Sequence, residues 1–198
     1  MKKFILPLVG TLLLASNLDD IMIKLNNHNY KEAIKLLKNQ KETSQVDFLL
    51  GKAYFDRHLT YTDYILAMKY FQKAKTPKSY YYIAKMYQLG LGVDKDIKTA
   101  IRYFNLSNTK EAKYELAKLY LEGEYVLKDR KLGLKLLKES AKIGYDKAQF
   151  LLGKLYTTDN EFVEKDFREA AKWLFLSAHN GNLEAKELWD KYKLYKYQ

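Results

Sequence analysis

The feature of this chain that most constrains its fold is a short motif repeated at a nearly constant interval. In each copy a small residue stands three positions before a tyrosine, and successive tyrosines lie 33, 33 and 36 residues apart. The tyrosines are Tyr54, Tyr87, Tyr120 and Tyr156. A period of this size is typical of stacked supersecondary units, in which each unit packs only against its neighbours and no closed globule forms.

A second motif follows each copy of the first and carries two adjacent bulky residues. In the first motif, apolar or small residues recur with helical spacing, as in Ala148, Leu152, Gly153 and Tyr156. We therefore predict an all-α chain of paired antiparallel helices, A and B, in which the small residue of helix A lets helix B approach closely. The tyrosine that follows is expected to bury its ring beside it. The bulky pairs are Leu36/Leu37, Tyr70/Phe71, Tyr103/Phe104, Leu136/Leu137 and Trp173/Leu174. The predicted units are residues 18–40, 46–76, 79–109, 112–144 and 148–181, with a capping helix at 183–198.

An acidic residue recurs between the two helices of each unit. Asp63, Asp96, Asp129 and Asp166 each stand four residues before the small residue of helix B, and Asn29 takes the same place in the first unit. A regular series of carboxylates suggests either metal sites or helix N-caps. We predict N-caps, because Asp and Asn side chains accept hydrogen bonds from the free amides of a first helical turn.

Two segments resemble a known repeat family. The stretch Ala141-x-x-Gly144-x-x-x-Ala148-x-x-x-Leu152-Gly153-x-x-Tyr156 is similar to the Sel-like repeat, a relative of the tetratricopeptide α/α units. The loop at residues 90–96, Gly-Leu-Gly-Val-Asp-Lys-Asp, is also similar, and it recurs at 123–129 with the second glycine replaced. The similarity covers residues 46–181, and 18–40 in part. The first and last full units lack the glycine pair, and the earlier turns between units are about three residues shorter.

The resemblance implies both an architecture and a function. Sel-like proteins are α/α solenoids, right-handed superhelices of stacked helix-turn-helix repeats, whose A helices line the concave surface. They generally act as adaptors, so the resemblance implies a scaffold that binds a protein or peptide in its groove. Some cysteine-rich bacterial relatives have been linked to penicillin-type ligands, but this chain has no cysteine.

The first residues have the pattern of an export signal. A basic Met1-Lys2-Lys3 precedes an uncharged apolar run from Phe4 to Ala15, with small residues suited to cleavage at its end. The run is shorter than the ~20 residues of a membrane span, and no cysteine follows it for a lipid anchor. We expect a signal peptide at 1–16, a single repeat domain at 17–198, and a periplasmic or secreted protein. The alternative is a cytoplasmic adaptor whose first helix is retained.

The net charge of +11 raises the question of an anionic partner. Removal of Lys2 and Lys3 leaves 33 − 24 = +9. Only four of the 35 basic residues are arginine, the side chain best suited to phosphates and base edges. We therefore expect no nucleic acid partner and interpret most lysines as a solvated face.

Patterns for catalysis, metal binding or a cofactor are weak. His28, His58 and His179 lie in separate units, and the Gly90-Leu91-Gly92 turn lacks the strand and third glycine of a phosphate loop. Asp94 opens a segment that lacks the rest of a calcium loop. We predict no cofactor, no metal and no enzymatic activity. An enzyme or ligand-binding protein of the cell envelope, acting on peptidoglycan-related substrates, stays open as the alternative.

One periodic feature of the A helices is a candidate binding site. A lysine stands between the small residue and the tyrosine in each of the four full repeats, and four residues earlier the side chain is always aromatic. Residues four apart are neighbours on a helix, so stacking predicts a column of lysines beside a column of rings. The lysines are Lys52, Lys85, Lys118 and Lys154, and the rings are Phe48, Tyr81, Tyr114 and Phe150. In the run Tyr80-Tyr81-Tyr82, at least one ring should be exposed, because three successive residues span ~200° of a helix.

From these features we predict partner binding through the four lysines together with Tyr81, Tyr82 and Tyr114. The partner is expected to be a protein or peptide, of acidic character. The alternative for the rings is packing between repeats, and for the lysines it is solubility alone. We expect a monomer without a stable membrane anchor.

Overall fold

The computed structural model describes residues 18–57 and 60–197, and every regular element in these ranges is helical. This confirms the predicted all-α repeat architecture. The predicted signal segment at 1–16 and His58 lie outside the described residues. The helices form two compact units divided between Asp96 and Ile97, and each unit is described by itself.

Among the described residues, the first unit has five helices and the second has six. The first comprises α1 (18–26), α2 (Tyr30–Lys38), α3 (Ser44–Arg57), α4 (Tyr61–Ala74) and α5 (Pro77–Leu89). The second comprises α6 (Ile97–Ser107), α7 (Lys110–Glu122), α8 (Arg130–Lys142), α9 (Asp146–Leu155), α10 (Phe167–His179) and α11 (Leu183–Lys191), followed by a 3-10 turn (Leu194–Tyr197). None of the described helices is long and apolar enough to cross a membrane.

The core is built from the second bulky residue of each helix B. This residue is at most 1% exposed in all five repeats. The five side chains are Leu37, Phe71, Phe104, Leu137 and Leu174. Glycine makes room for two of them: a Cβ on Gly51 would stand 2.6 Å from Phe71 Cδ1, and one on Gly153 would stand 2.7 Å from Leu174 Cγ. The predicted close approach of helices A and B is present at both positions.

The helix starts confirm part of the capping prediction. Asp129 Oδ1 accepts the amide of Leu132 at 2.9 Å, and Asp166 caps α10 in the same way. The prediction was wrong for Asp63, which is the third residue of α4; Thr60 is the N-cap, and the two form a reciprocal capping box. Asn29 occupies the N-cap position of α2, but its side chain makes no capping bond, and its amide nitrogen donates to Glu32. Asp96 directly precedes α6.

The repeated tyrosines are less uniform than expected. Tyr54 and Tyr156 are buried, at 5% and 9% exposure. Tyr87 and Tyr120, expected to be buried like them, are only half-buried. A backbone hydrogen bond recurs at these positions instead. The tyrosine carbonyl accepts the amide of the aspartate that precedes helix B, in the pairs Tyr87–Asp96 (2.9 Å), Tyr120–Asp129 (3.0 Å) and Tyr156–Asp166 (3.0 Å). Main-chain bonds therefore hold the loop between the helices, and they do not require the tyrosine ring to be buried.

Buried serines of the B helices add a tie that the sequence analysis missed. Ser140 Oγ donates to the Lys110 carbonyl at 2.6 Å, and Ser177 Oγ donates to the Asp146 carbonyl at 3.2 Å. Each bond joins the end of helix B to the start of helix A in one repeat. Both serines are fully buried, so these bonds satisfy polar groups that would otherwise be costly.

The carboxyl-terminal segment differs from the single helix predicted at 183–198. Helix α11 ends at Lys191, and Lys193 adopts a left-handed backbone with φ of 52°. The chain then turns so that Leu194 is fully buried and the Tyr192 and Tyr197 rings lie 5.7 and 5.3 Å from Phe167. This turn covers the start of α10.

Candidate protein-binding surface

In the second unit, the predicted lysine–ring pairs form on helices α7 and α9. Lys118 Nζ lies 5.8 Å from the Tyr114 ring centroid, and Lys154 Nζ lies 6.0 Å from the Phe150 centroid. These distances are at the outer limit of a cation–π contact. Both rings are half-buried, so one face packs against protein while the lysine covers part of the rest.

In the first unit the equivalent lysines are engaged differently. Lys52 forms an ion pair with Asp56, one helical turn further along α3. Burial lowers the pKa of Lys52, but the hydrogen bond and charge of Asp56, together with the nearby Tyr82 and Tyr30, outweigh burial and leave the pKa raised. Lys85 Nζ donates to Gln88 Oε1 at 2.9 Å. Both side chains are therefore held along their own helices.

The aromatic residues of the first unit form a packed cluster. Tyr82 stacks on Phe71 with ring centroids 4.9 Å apart and lies edge-on to Phe55 at 5.1 Å. Phe48 lies 6.0 Å from both Tyr82 and Phe71. Tyr81 meets the edge of Tyr82 at 5.4 Å. These contacts join α3, α4 and α5, so the Tyr82 and Phe48 rings contribute to packing between repeats.

The exposed ring expected among Tyr80, Tyr81 and Tyr82 does not occur, because all three are half-buried. The three side chains point around the helix as the ~100° step per residue requires. Contacts along α5 nevertheless cover part of each ring, as the Tyr81–Tyr82 edge contact shows. Each of the three tyrosine rings therefore exposes part of its surface, and none is fully exposed.

Acidic residues also line the α7–α9 surface. Lys118 Nζ is 4.0 Å from Glu115 Oε2. The ring of Tyr114 packs edge-on against Tyr145 at 5.3 Å, and burial raises the pKa of Tyr145 to about 12, with the charges of Glu115 and Asp146 adding to the effect. Both phenols stay protonated near neutral pH and can donate hydrogen bonds. The surface thus combines lysines, carboxylates and neutral hydroxyls.

Beside these pairs lies a cavity of about 510 Å³ between α7 and α9. Its apolar lining comes from Leu121, Leu151, Leu155 and Phe162, and Lys118 stands at its rim. The remaining lining residues are charged: Glu122, Glu124, Lys128 and Glu161. The sequence pattern alone did not predict this cavity, although Leu151 and Leu155 follow Phe150 and Lys154 by one position and so lie on a neighbouring face of α9.

Two loops close one side of the cavity. Glu161 Oε1 accepts Lys128 Nζ at 2.7 Å, and Glu161 Oε2 accepts Arg130 Nη2 at 2.5 Å. These bonds, led by the one from Lys128, lower the pKa of Glu161. Lys128 Nζ also lies 5.4 Å from the Phe162 ring centroid. The loop before α8 and the loop before α10 are therefore tied together at the cavity rim.

The described residues contain no candidate metal site. In the ranges 18–57 and 60–197, His, Cys, Asp and Glu side chains form no group that could hold a metal ion. His28 Nδ1 is instead hydrogen bonded to the Tyr30 hydroxyl at 2.7 Å, and His179 stacks on Phe175 with centroids 6.1 Å apart.

Comparison with known protein families gives one match. The family described as the Sel1 repeat matches four successive segments: residues 46–76, 77–108, 110–145 and 146–182. Each segment begins within two residues of the start of an A helix, at α3, α5, α7 and α9. The matched repeats therefore correspond to the helix pairs. No curated protein matches the chain.

Solved structures share this fold. A Sel1 repeat protein from Oxalobacter formigenes superposes with a TM-score of 0.71 and 24% identity, covering 87% of this chain and 74% of that one. A protective antigen of uropathogenic Escherichia coli with an SLR fold superposes with a TM-score of 0.52 and 20% identity, covering 81% of this chain and 44% of the antigen. At these identities the likeness concerns the fold alone.

Proposed function

The chain belongs to the Sel1 repeat family, and from this premise we propose that it is an exported scaffold that binds a protein or peptide on its A helices. Sel1 repeat proteins generally mediate protein–protein interactions and are typically non-enzymatic. The observation that carries the choice of surface is the cavity between α7 and α9, with Lys118 at its rim and an apolar lining.

The cavity and the lysines have different roles in this proposal. Burying one leucine-sized side chain of a partner in the cavity stabilises a complex by roughly 1.5–3 kcal/mol. Each exposed ion pair adds only about 0–1 kcal/mol. Affinity therefore comes mainly from an apolar anchor, whereas Lys118 and Lys154 orient and attract an acidic segment on either side of it.

The four lysines of the A helices provide the test. Changing Lys52, Lys85, Lys118 and Lys154 together to glutamate should leave helicity nearly unchanged, because all four side chains are at least partly exposed. Melting should fall only slightly, because partly exposed ion pairs such as Lys52–Asp56 contribute about 0–1 kcal/mol each. Recovery of the natural partner from envelope extracts should fall strongly at moderate salt.

A matched control reverses the same number of charges elsewhere. Helix α8 carries four lysines outside the α7–α9 surface: Lys131, Lys135, Lys138 and Lys142. Reversing these should leave partner recovery close to that of the parent. Equal recovery with the parent and the A-helix variant would exclude the lysine surface. Loss of an envelope-directed activity on changing one or two carboxylates, with no effect of the lysine changes, would favour the enzyme alternative.

Export rests on the sequence of residues 1–16, which precede the described part of the chain. The basic start, the apolar run and the small residues at Ala15 and Ser16 support it. Mass spectrometry of the native protein should find an amino terminus between Ser16 and Asp19. An intact start at Met1 or Lys2 on most molecules would contradict export.

A further inference from the structure

Helix α8 carries a second surface that partner binding on the A helices does not use. Lys131, Lys135, Lys138 and Lys142 recur at intervals of four, three and four residues, and we call them the α8 lysine stripe. At 3.6 residues per turn they fall within an arc of about 60° and extend over about 16 Å of the helix. Three are exposed, and the half-buried Lys138 lies 5.9 Å from the Tyr156 ring centroid.

The surroundings of the stripe leave its positive charge largely uncompensated. Among the described residues, no carboxylate forms an ion pair with Lys131, Lys135 or Lys142. The one acidic side chain in the same groove, Glu139, is paired with Lys113 of α7 at 2.6 Å.

The groups beside the stripe are consistent with this excess of positive charge. The hydrogen bond from Lys113 lowers the pKa of Glu139, and the charges of Lys135 and Lys142 lower it further. A further cation, Lys110, donates to the Gly144 carbonyl at 3.3 Å, at the carboxyl-terminal end of α8. The stripe therefore presents four net positive charges along one helix, with Lys110 beside them.

The stripe borders a shallow groove rather than a deep pocket. The groove has a volume of about 460 Å³. Of the described residues, the half-buried Leu134 is the one apolar side chain that lines it, and no aromatic side chain or arginine among them does so. Protein-binding hot spots are enriched in tyrosine, tryptophan and arginine, and protein interfaces are depleted in lysine. Nucleic acid sites that fix phosphates or bases in a defined geometry use arginine forks and stacked aromatic rings. The composition of the stripe fits neither partner.

We propose that the α8 lysine stripe docks reversibly on the surface of an anionic lipid bilayer. Clusters of four or more lysines on one helix face bind anionic headgroups through summed charge, which needs neither a pocket nor a fixed geometry. Long, flexible lysine side chains reach mobile phosphates without the fixed geometry of a fork. The stripe lies on α8 and the proposed partner site on α7 and α9, so one molecule can hold a partner while resting on a membrane.

Flotation with lipid vesicles tests the proposal. The mature protein should float with phosphatidylcholine vesicles that contain phosphatidylglycerol and should stay behind with phosphatidylcholine alone. Binding should be strong in about 0.1 M NaCl and largely lost in about 1 M, because the Debye length falls from about 10 Å to about 3 Å. Changing all four stripe lysines to glutamine should lower partitioning at least about tenfold.

Three further variants separate lipid docking from charge in general. Changing the four stripe lysines to arginine keeps their charge and should keep binding. Changing the four A-helix lysines to glutamine removes the same charge elsewhere and should change partitioning much less. If the fourfold glutamine variant misfolds by circular dichroism, a variant that retains Lys138 replaces it, because the other three side chains are exposed.

The outcomes that overturn the proposal are distinct from those that concern the A helices. No flotation of the parent with anionic vesicles, or equal losses from both lysine sets, would overturn lipid docking. Capture of an acidic protein or RNA through the stripe without vesicle binding would assign the surface to that partner instead. Partner recovery in the pull-down depends on neither result, so the two proposals fail separately.

Discussion

Replacing Gly51 by alanine has two opposite effects on the free energy of unfolding. In a helix interior the change favours folding by about 1 kcal/mol, because alanine has the higher helix propensity. The new Cβ, however, would stand 2.6 and 2.7 Å from Cδ1 and Cε1 of Phe71. Carbon atoms pack best at about 3.5–4.0 Å, so the overlap is about 1 Å.

The ring of Phe71 has little space in which to relieve that overlap. It is fully buried and lies 4.9, 6.0 and 6.2 Å from the rings of Tyr82, Phe48 and Phe55. Overpacking of a rigid site costs about 1–3 kcal/mol. Subtracting the propensity gain, we expect Gly51→Ala to lower the free energy of unfolding by up to about 2 kcal/mol.

A double-mutant cycle with Phe71→Ala isolates the contact. Alanine removes every atom beyond Cβ, so in that background Gly51→Ala should become neutral or stabilising, with a coupling energy of at least about 1 kcal/mol. Urea unfolding followed by circular dichroism measures the four variants, with m compared because a repeat stack need not unfold in two states. Gly144→Ala is the control: nothing lies near its Cβ, but its φ of 86° disfavours alanine, so its cost should not depend on Phe71. Stabilisation of about 1 kcal/mol by Gly51→Ala in both backgrounds would refute the close approach of α3 and α4.

Two further predictions concern a helix cap and a titrating ion pair. Asp129→Ala should cost about 1 kcal/mol because its carboxylate caps the Leu132 amide, whereas Asn29→Ala should cost much less because Asn29 makes no capping bond; equal shifts in urea melts would contradict the assignment. Lys113 lowers the pKa of Glu139 below its ordinary value of 4.5, so this pair stabilises the folded chain above that pH and the contribution is lost as the pH falls through the lowered value. Glu139→Gln should therefore unfold more easily than the parent at neutral pH and match it in strong acid, and a constant difference at all pH values would exclude this linkage.

The helix pairing could be predicted from sequence because a buried contact imposes the same demand in every repeat. A ring or leucine recurs at the position of Phe71 and Leu137, and a small residue recurs opposite it, since neither can vary without loss of packing. The two buried serines also recur at a repeat interval. Ser140 and Ser177 occupy equivalent positions near the ends of α8 and α10, 37 residues apart, so the sequence could have indicated their shared role. The regular period indicates which residues are equivalent, and their burial explains why the same kind of residue recurs there.

The prediction that Asp63 is an N-cap was wrong because a second capping residue lies close by. Asp63 occupies the position equivalent to Asp129, but Thr60 stands three residues before it and competes for the same first-turn amides. A threonine with an acidic residue three positions later is itself a capping signature, and here it moves the start of the helix. Equivalent position therefore predicts a cap only where no better cap precedes it.

The candidate sites could be predicted less well, because binding depends on what differs between repeats. The lysines of the A helices share one position, yet Lys52 is bound to Asp56 while Lys154 lies over a ring, since the next turn of each helix differs. The stripe on α8 is specific to one repeat, because the places of Lys138 and Lys142 are taken in α10 by Phe175 and His179. Residues that every repeat retains pack the helices together, and residues found in one repeat alone are not held by that packing requirement. Residues that differ between repeats are therefore better candidates for functional sites in this fold than residues that recur. Their roles can be assigned only when the structure shows which side chains surround each of them.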